Sequence, residues 1–503
     1  MDAFSGLADG FATAVTPTNL LWLMIGCLLG TLVGILPGLG PPATIAILLP
    51  LATNLEPATG LIMMAGIYYG AKYGGSTTSI LLNIPGESSS VVTCLDGYEM
   101  AKKGRAGPAL GMAAIASFIA GTVGVIGLTF LAPVVANLAV SFGPPEYSAL
   151  MVFALLLVIM LAGESLLKGF ISMLLGLLLA TIGTDLFTGE QRFTGGRIEL
   201  AGGFEFIAIS IGLFAIGEVL VNVEQRTGRQ IFKVPSKLRE LLPTVKDLKD
   251  SRVAIAQGSV LGFFIGCLPG AGATVASFIS YTVQKRVSKH PEEFGKGSIE
   301  GVAAPEAANN SETGGAMIPL LTLGIPGSST GAVLLGALVL YGLNPGPLLF
   351  TDHPEVVWPI IASMYLGNVA LLVMNLPMVP LFAKLLNVPY WVMYPGILLI
   401  AVVGTYSVNF SMFDVWVLLA FGLLGYVMKK IGMPPAPLLL AFVLGPIAEN
   451  AVRQTLILSD NNPVIYLQRP ISATLLVLAV LLLASLTLGQ SRHLRRQVLE
   501  IDD

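Results

Sequence analysis

Charge is what this sequence has least of. Only 11% of its 503 residues are Asp, Glu, Lys or Arg, about half the share in an ordinary soluble domain, which excludes an ordinary soluble enzyme. No Lys or Arg precedes Lys72. Met1 to Leu20, with Asp2 and Asp9, therefore lacks the positive start of a signal peptide, and no cleavage is expected. Cys27, Cys94 and Cys267 are too scattered for a disulfide framework or a metal cluster and read as small buried residues. His290, His353 and His493 fall in predicted loops or the tail. An intramembrane hydrolase, which needs a base beside a nucleophilic Ser, becomes a remote alternative. No GxxxxGK run followed by Ser or Thr exists; EFGKGS at Glu293 lacks the hydroxyl residue directly after Lys. A motor ATPase is excluded. No basic patch is interleaved with aromatics, so nucleic-acid binding has no support.

What is present is apolar, and it comes in long blocks. Gly107 to Leu138, Phe206 to Gly217, Val356 to Ala383 and Ile471 to Gln490 carry no Asp, Glu, Lys or Arg. A bilayer span needs about 20 such residues, so the expected class is an all-α polytopic membrane protein. Lys and Arg mark cytoplasmic loops. They cluster at Lys102 to Arg105, at Glu224 to Arg252, at Lys285 to Lys296 and at Arg492 to Arg496, and we place these inside. Gly143 to Tyr147, Asn344 to Glu355 and Val408 to Met412 have no Lys or Arg and belong outside. Glu164 and Lys168 have the spacing of a helical ion pair. The expected division is 1–223 as a first membrane repeat, 224–252 as a basic linker lying along the cytoplasmic membrane surface, 253–491 as a second repeat and 492–503 as a cytoplasmic tail.

The repeat is written in the glycines. GCLLGTLVGILPGLG from Gly26 and GSVLGFFIGCLPGAG from Gly258 share eight of fifteen positions. A second element, GGSTTSILLNIPGESS from Gly74, returns as GGAMIPLLTLGIPGSS from Gly314. The basic loop follows the second Pro-Gly break in the first copy and lies between the breaks in the second. The two copies are therefore expected in opposite orientation. Inverted repeats with broken helices are an architecture of secondary transporters, with sites near the membrane midplane. Re-entrant hairpins that move like an elevator against a static scaffold are the expected arrangement.

The breaks supply the candidate site. Pro removes a helical N–H and Gly permits positive φ, so Pro37, Gly38, Gly40 and Thr44, and their counterparts Pro269, Gly270, Gly272 and Thr274, should unwind the chain inside the membrane. Freed N–H groups attract carboxylates, and freed carbonyls can coordinate Na⁺, with ligands at these tips left open. The second breaks add Gly74, Gly75, Ser76, Pro85, Gly86, Ser88 and Ser89 in one copy and Pro326, Gly327, Ser328, Ser329 and Thr330 in the other; their hydroxyls either cap helices or contact solute. Gly26, Gly30, Gly258 and Gly262 read as helix-packing positions. Lys72, alone in a long apolar stretch, is a candidate for an anion, against snorkelling or a structural ion pair. Glu306, Asn309 and Asn310, with Glu312, line a polar pathway or cap the helix that follows.

At GILPGLGPPAT from Gly34, at YGGSTTSILLNIPGESSSVVTCLDGYEMAKKGRAGPALG from Tyr73 and at APEAANNSETGGAMIPLLTLGIPGSS from Ala304, the sequence resembles the large membrane subunit of the tripartite tricarboxylate transporter family. The likeness spans nearly the whole chain. It implies a non-enzymatic, multi-pass protein of the bacterial inner membrane that imports small carboxylates. It also implies a smaller membrane subunit of about four helices, a periplasmic solute-binding protein and uptake driven by a cation gradient, Na⁺ or H⁺. The family's Pro-Gly signatures fall on Pro37-Gly38, Pro85-Gly86, Pro269-Gly270 and Pro326-Gly327, and its Glu-Ala-x-Asn-Asn signature on Glu306 to Asn310. An uncoupled facilitator or channel is the alternative.

Overall fold

The computed structural model describes residues 3–35, 40–160, 165–185, 187–224, 238–268, 272–379, 381–382 and 390–499. Pro37, Gly38, Pro269 and Gly270 lie outside the described residues, as do Glu164 and most of the basic linker. Helix dominates. In chain order the principal helices are α1 (Ala3–Ala14), α2 (Pro17–Ile35), α3 (Pro41–Ala52), α4 (Pro57–Leu82), α5 (Val91–Lys102), α6 (Ala106–Ala139), α7 (Pro144–Met160), α8 (Leu166–Ala180) and α9 (Phe206–Glu224). They continue as α10 (Val245–Gly266), α11 (Gly272–Val287), α12 (Ile299–Leu323), α13 (Ser329–Leu340), α14 (Pro354–Asn375), α15 (Tyr390–Asn409), α16 (Met412–Lys430), α17 (Ala436–Leu458) and α18 (Pro470–Leu499).

Among the described residues six helices, α2, α6, α9, α14, α16 and α17, are long and apolar enough to cross a membrane. The charge-free blocks of the sequence fall within α6, α9 and α18 and across α14. By contrast α3 and α13, with 12 residues each, reach only about 18 Å at 1.5 Å per residue and stop short of a roughly 30 Å hydrocarbon layer. Helices α4 and α12 are long, at 26 and 25 residues, yet rich in polar side chains, and almost every residue in them is buried. Protein surrounds them, which is how polar side chains at membrane depth are tolerated.

The chain divides into two compact units, Met1–Ala139 with Glu205–Lys430, and Val140–Phe204 with Ile431–Asp503. In the first, glycine spacing sets the packing. A Cβ on Gly26, Gly30 or Gly34 would strike the carbonyls of Met63, Ile67 and Ala71 in turn, so α2 rides directly on the backbone of α4. Gly258, Gly262 and Gly266 meet the carbonyls of Ala304, Ala308 and Glu312 in the same way. Both registers advance in the same direction, so α2 runs parallel to α4 and α10 parallel to α12. Parallel neighbours need a return path, which α3 and α11 supply. Leu241, at the end of the linker, is buried beside α6, where a Cβ on Gly111 would meet its carbonyl.

In the second unit α7 and α8 pack on α17, and α18 packs on α7. Its one strand pair among the described residues, Gly183–Thr184 with Gln191–Arg192, is antiparallel. Four side chains close this hairpin as a ring: Arg192 to Glu449 at 2.7 Å, Glu449 to Arg453 at 2.7 Å, Arg453 to Asp185 at 2.8 Å and Asp185 to Arg192 at 3.5 Å. The Thr188 and Phe187 backbone N–H groups, and then Arg453, hold the Asp185 carboxyl down at about 2.

Two predictions follow from these contacts. Gly30→Ala and Gly262→Ala should each lower the thermal midpoint in detergent by the equivalent of about 1–3 kcal/mol, the usual cost of overpacking. Gly396→Ala, in α15 with no neighbour within 4 Å of the added carbon, should leave the midpoint unchanged or raise it. For the ring, a depressed carboxyl contributes stability above its unfolded value near 3.8 that is lost as the pH falls toward about 2. Asp185→Asn should remove that contribution already at neutral pH, seen as faster tryptic cleavage at Arg192 and Arg197 than in the unaltered chain.

Candidate functional site

The second break of each copy is built alike. Helix α4 ends at Asn83 with φ 56° and α12 at Gly324 with φ 69°. Asn and Gly are the residues that accept this left-handed conformation. Ile-Pro-Gly follows in both, and Pro cannot continue the helix. The chain then restarts on hydroxyl residues. Ser328 accepts the Gly331 N–H at 3.1 Å and caps α13. Glu87 and Ser90 bond one another at the start of α5, the Glu87 N–H donating to Ser90 Oγ and Ser90 Oγ donating to the Glu87 carbonyl.

The breaks lie against the turn where two helices carry paired glycines. A Cβ on Gly75 would come 2.8 Å from Glu87 Cγ, and one on Gly86 would strike the Gly34 carbonyl and come 2.6 Å from Gly75 Cα. Gly34, near the end of α2, and Gly86, at the second break, therefore meet at Gly74-Gly75. In the second copy Gly272, at the start of α11 with φ 64°, would place its Cβ 4.0 Å from the Gly327 carbonyl.

Around this point the side chains form one buried polar network. Ser76 Oγ donates to Glu306 Oε2 at 2.6 Å, Thr93 donates to Glu306 Oε1, and Ser117 reaches Glu306 Oε2 at 3.4 Å. Asn310 Nδ2 donates to Ser117 Oγ at 2.7 Å. Three hydroxyls thus hold one carboxylate, and hydrogen bonds to a charged group contribute about 1.5–3 kcal/mol each. One turn further along α12, the Asn309 amide accepts from Ser89 Oγ at 2.8 Å and donates to Glu87 Oε1 at 3.3 Å; Glu87 is the alternative acceptor for the single Ser89 hydroxyl proton.

Lys72 sits at the centre. Its Nζ lies 3.4 Å from Glu87 Oε2, 3.4 Å from Ser89 Oγ and 5.6 Å from the centre of the Tyr68 ring. Only 5% of Lys72 is exposed, so it does not snorkel. It keeps donor capacity beyond one acid and one hydroxyl, which is what an incoming carboxylate requires. Among the described residues no group of three or more His, Cys, Asp or Glu could hold a metal ion.

Of the candidates read from the sequence, the structure gathers Lys72, Ser76, Ser89, Glu306, Asn309 and Asn310 into this network, with Gly74, Gly75, Pro85 and Gly86 making room for it. Glu306 to Glu312 lie in the middle of α12, whose cap is Ser298, so they line the interior and do not cap. Elsewhere, Ser88 is exposed, Thr44 donates to the Gly40 carbonyl within its own helix, and Thr274 is half-buried. Pro326, Gly327 and Thr330 are buried, and Ser329 is half-buried at the start of α13. Glu87, Thr93 and Ser117 were not singled out by sequence reasoning. Glu87 directly follows Pro-Gly, a usable signal; Ser117 sits in an apolar helix with none.

Asp96 was also missed, and it organises the start of α12. Its Oδ1 accepts the N–H groups of Gly295, Gly297 and Ser298 at 2.9, 2.8 and 2.8 Å, and its Oδ2 accepts from Tyr281 at 2.8 Å. Asp96→Ala should strand all of them, at about 1–3 kcal/mol per orphaned group. Thermal unfolding in detergent should show a loss larger than that of Ser76→Ala, which removes a single donor.

Residues 20–440 match the tripartite tricarboxylate transporter TctA family. The chain is 46% identical over 503 residues, all of both chains, to the uncharacterized 52.8 kDa protein in the TAR-I ttuC' 3' region of Agrobacterium vitis. It is also 46% identical over 242 residues to an uncharacterized protein in the TAR-II ttuC' 3' region of that organism, covering 48% of this chain and all of the relative. No solved structure matches. The family is one of transporters and not of enzymes, and the chain, with its buried network among membrane-length helices, belongs to the tripartite tricarboxylate transporter TctA family.

Proposed function

We propose that this chain is the membrane-embedded transport subunit of a cation-coupled, binding-protein-dependent secondary transporter that imports small carboxylates across the bacterial inner membrane. The observation that carries the reading is Lys72, a cation buried where the glycine-lined ends of two helices meet a Pro-Gly break. A buried ammonium with a spare donor is suited to an anion that arrives desolvated. The paired architecture supports an inverted repeat. Helices α2 to α5 have 19, 12, 26 and 12 residues and α10 to α13 have 22, 16, 25 and 12. Ser76 meets Glu306, and Lys72, four residues earlier, lies beside Ser89, which is bonded to Asn309; the contacts descend α4 as they climb α12, as expected of oppositely directed helices. Short α3, α11 and α13 suit re-entrant elements of an elevator-like carrier.

In this reading a smaller membrane subunit of about four helices completes the membrane complex, and a periplasmic binding protein delivers the solute. Ser76, Ser89, Ser328 and the Pro-Gly backbone share the solute and cation contacts with Lys72, Glu306, Asn309 and Asn310.

The test is uptake of labelled tricarboxylates and dicarboxylates into proteoliposomes holding this chain and its small partner, with binding protein outside and an imposed Na⁺ or H⁺ gradient. Accumulation should require both the gradient and the binding protein; flux that only equilibrates would indicate a facilitator. Lys72→Met should cut uptake at least tenfold, the equivalent of about 1.4 kcal/mol, and Lys72→Arg should keep part of it. Because Lys72→Met leaves Glu87 unpaired, Lys72→Met with Glu87→Gln serves as the folded control and should be equally inactive.

A further inference from the structure

Among the described residues one interior acid has no hydrogen-bond partner. Glu312, in the middle of α12, is fully buried, and neither carboxylate oxygen has a hydrogen-bond partner among the described residues. Glu306 has three hydroxyls, and Glu87 has Lys72, Ser89 and Asn309. Lys72 lies close enough to act on Glu312 electrostatically, yet its ion pair is with Glu87.

The position of Glu312 is as telling as its isolation. Lys72 lies two residues before Gly74-Gly75, and Glu312 two residues before Gly314-Gly315. Gly34, near the end of α2, lies against Ala71 beside Lys72; Gly266, at the end of α10, lies against Glu312 itself. The repeat thus places a base and an acid at matching points against the ends of α2 and α10, on facing helices.

From its deepening of the carboxylate-import reading, on which it rests, we propose that Glu312 is the residue that carries the coupling ion and that the ion is a proton. Glu312 takes up a proton from outside before a substrate carboxylate occupies Lys72 and releases it inward once the substrate has left. A buried carboxylate with no donor is costly when charged. With Glu87, Glu306 and Glu312 all ionised, the cluster would hold three negative charges against one Lys, and among the described residues Glu312 is the one with no hydrogen-bond donor to support its charge. The titratable groups that face it are Tyr68, Tyr69 and Lys72 from α4 and Glu87 from the break. Helices α6 and α13 bring no titratable side chain, and α10 meets this turn with Gly266, followed by Cys267. The charges of α5 and α11 lie toward the start of α12, where Asp96 binds Gly295 to Ser298 and Gln284 binds Glu300. A hard metal cation takes several oxygen ligands, and among the described residues no hydroxyl or amide is hydrogen-bonded to Glu312. A proton needs only the carboxylate.

The cycle balances. A proton from the outer face binds Glu312, one substrate carboxylate enters against Lys72, both leave inward, and Lys72 returns to its pair with Glu87 until the next proton arrives.

The experiment is infrared difference spectroscopy on the full-length chain in lipid nanodiscs as the pH is raised in Na⁺-free buffer. A carbonyl band of a protonated carboxylic acid should disappear with rising pH, be lost in Glu312→Gln and persist in Glu306→Gln. A band unaffected by Glu312→Gln, or displaced by Na⁺ at constant pH through Glu312, would overturn the proposal. In proteoliposomes Glu312→Gln, locked neutral and of the same shape, should retain exchange of labelled for unlabelled carboxylate and lose accumulation driven by a pH gradient. Retained pH-driven accumulation would overturn it. The two arms separate its failure from that of the import reading. If the unaltered chain moves no carboxylate while the band tracks Glu312, the proton site stands and the substrate reading falls.

Discussion

Inside a membrane protein, polar groups must find their partners within the protein, because lipid offers none. The first unit of this chain meets that constraint by bringing backbones unusually close together. Gly26, Gly30 and Gly34 let α2 lie on the α4 carbonyls, and Gly258, Gly262 and Gly266 let α10 lie on those of α12. Pressed together in this way, the helices enclose α4 and α12 so fully that Lys72, Ser76, Glu306, Asn309 and Asn310 never face lipid. The polar network is a consequence of the glycine ladders.

The same close approach is what makes the breaks usable. Pro85-Gly86 can lie on Gly75 only because neither glycine carries a Cβ. That contact brings Glu87 to Lys72 and Ser89 to Asn309 across 15 and 220 residues of sequence. Glu306 is tied to three different helices through Ser76, Thr93 and Ser117. A network that joins α4, α5, α6 and α12 ties the position of the Pro85-Gly86 break to the charges of Lys72 and Glu87 and, through Asn309, to α12.

Much of this was legible in advance. The charge-free blocks located α6, α9, α14 and α18, because a span must be apolar wherever lipid touches it. The glycine repeats located the packing faces, since a small residue every four positions has few other uses in a membrane helix. Four side chains of the network were also visible as polar residues where none should be: Lys72, Glu306, Asn309 and Asn310. Ser117 and Thr93 were not, because a hydroxyl in a helix can bond its own backbone and carries no signature of its partner. Asp96 was hidden for a different reason: its partners are backbone N–H groups, which every residue has.

By itself, then, the sequence determined the membrane setting, the positions of the breaks and the duplication behind them, because these follow from local chemistry: hydropathy over about 20 residues, the missing N–H of Pro and the missing side chain of Gly. Only the tertiary structure decided which charges meet. Lys72 took Glu87, Glu306 took three hydroxyls and Glu312 was left with none. Those outcomes depend on which faces of α4, α5, α6 and α12 turn toward one another, and a helix rotates its side chains by 100° per residue. Pairing between elements hundreds of residues apart is therefore set by packing, which the order of residues along the chain does not display.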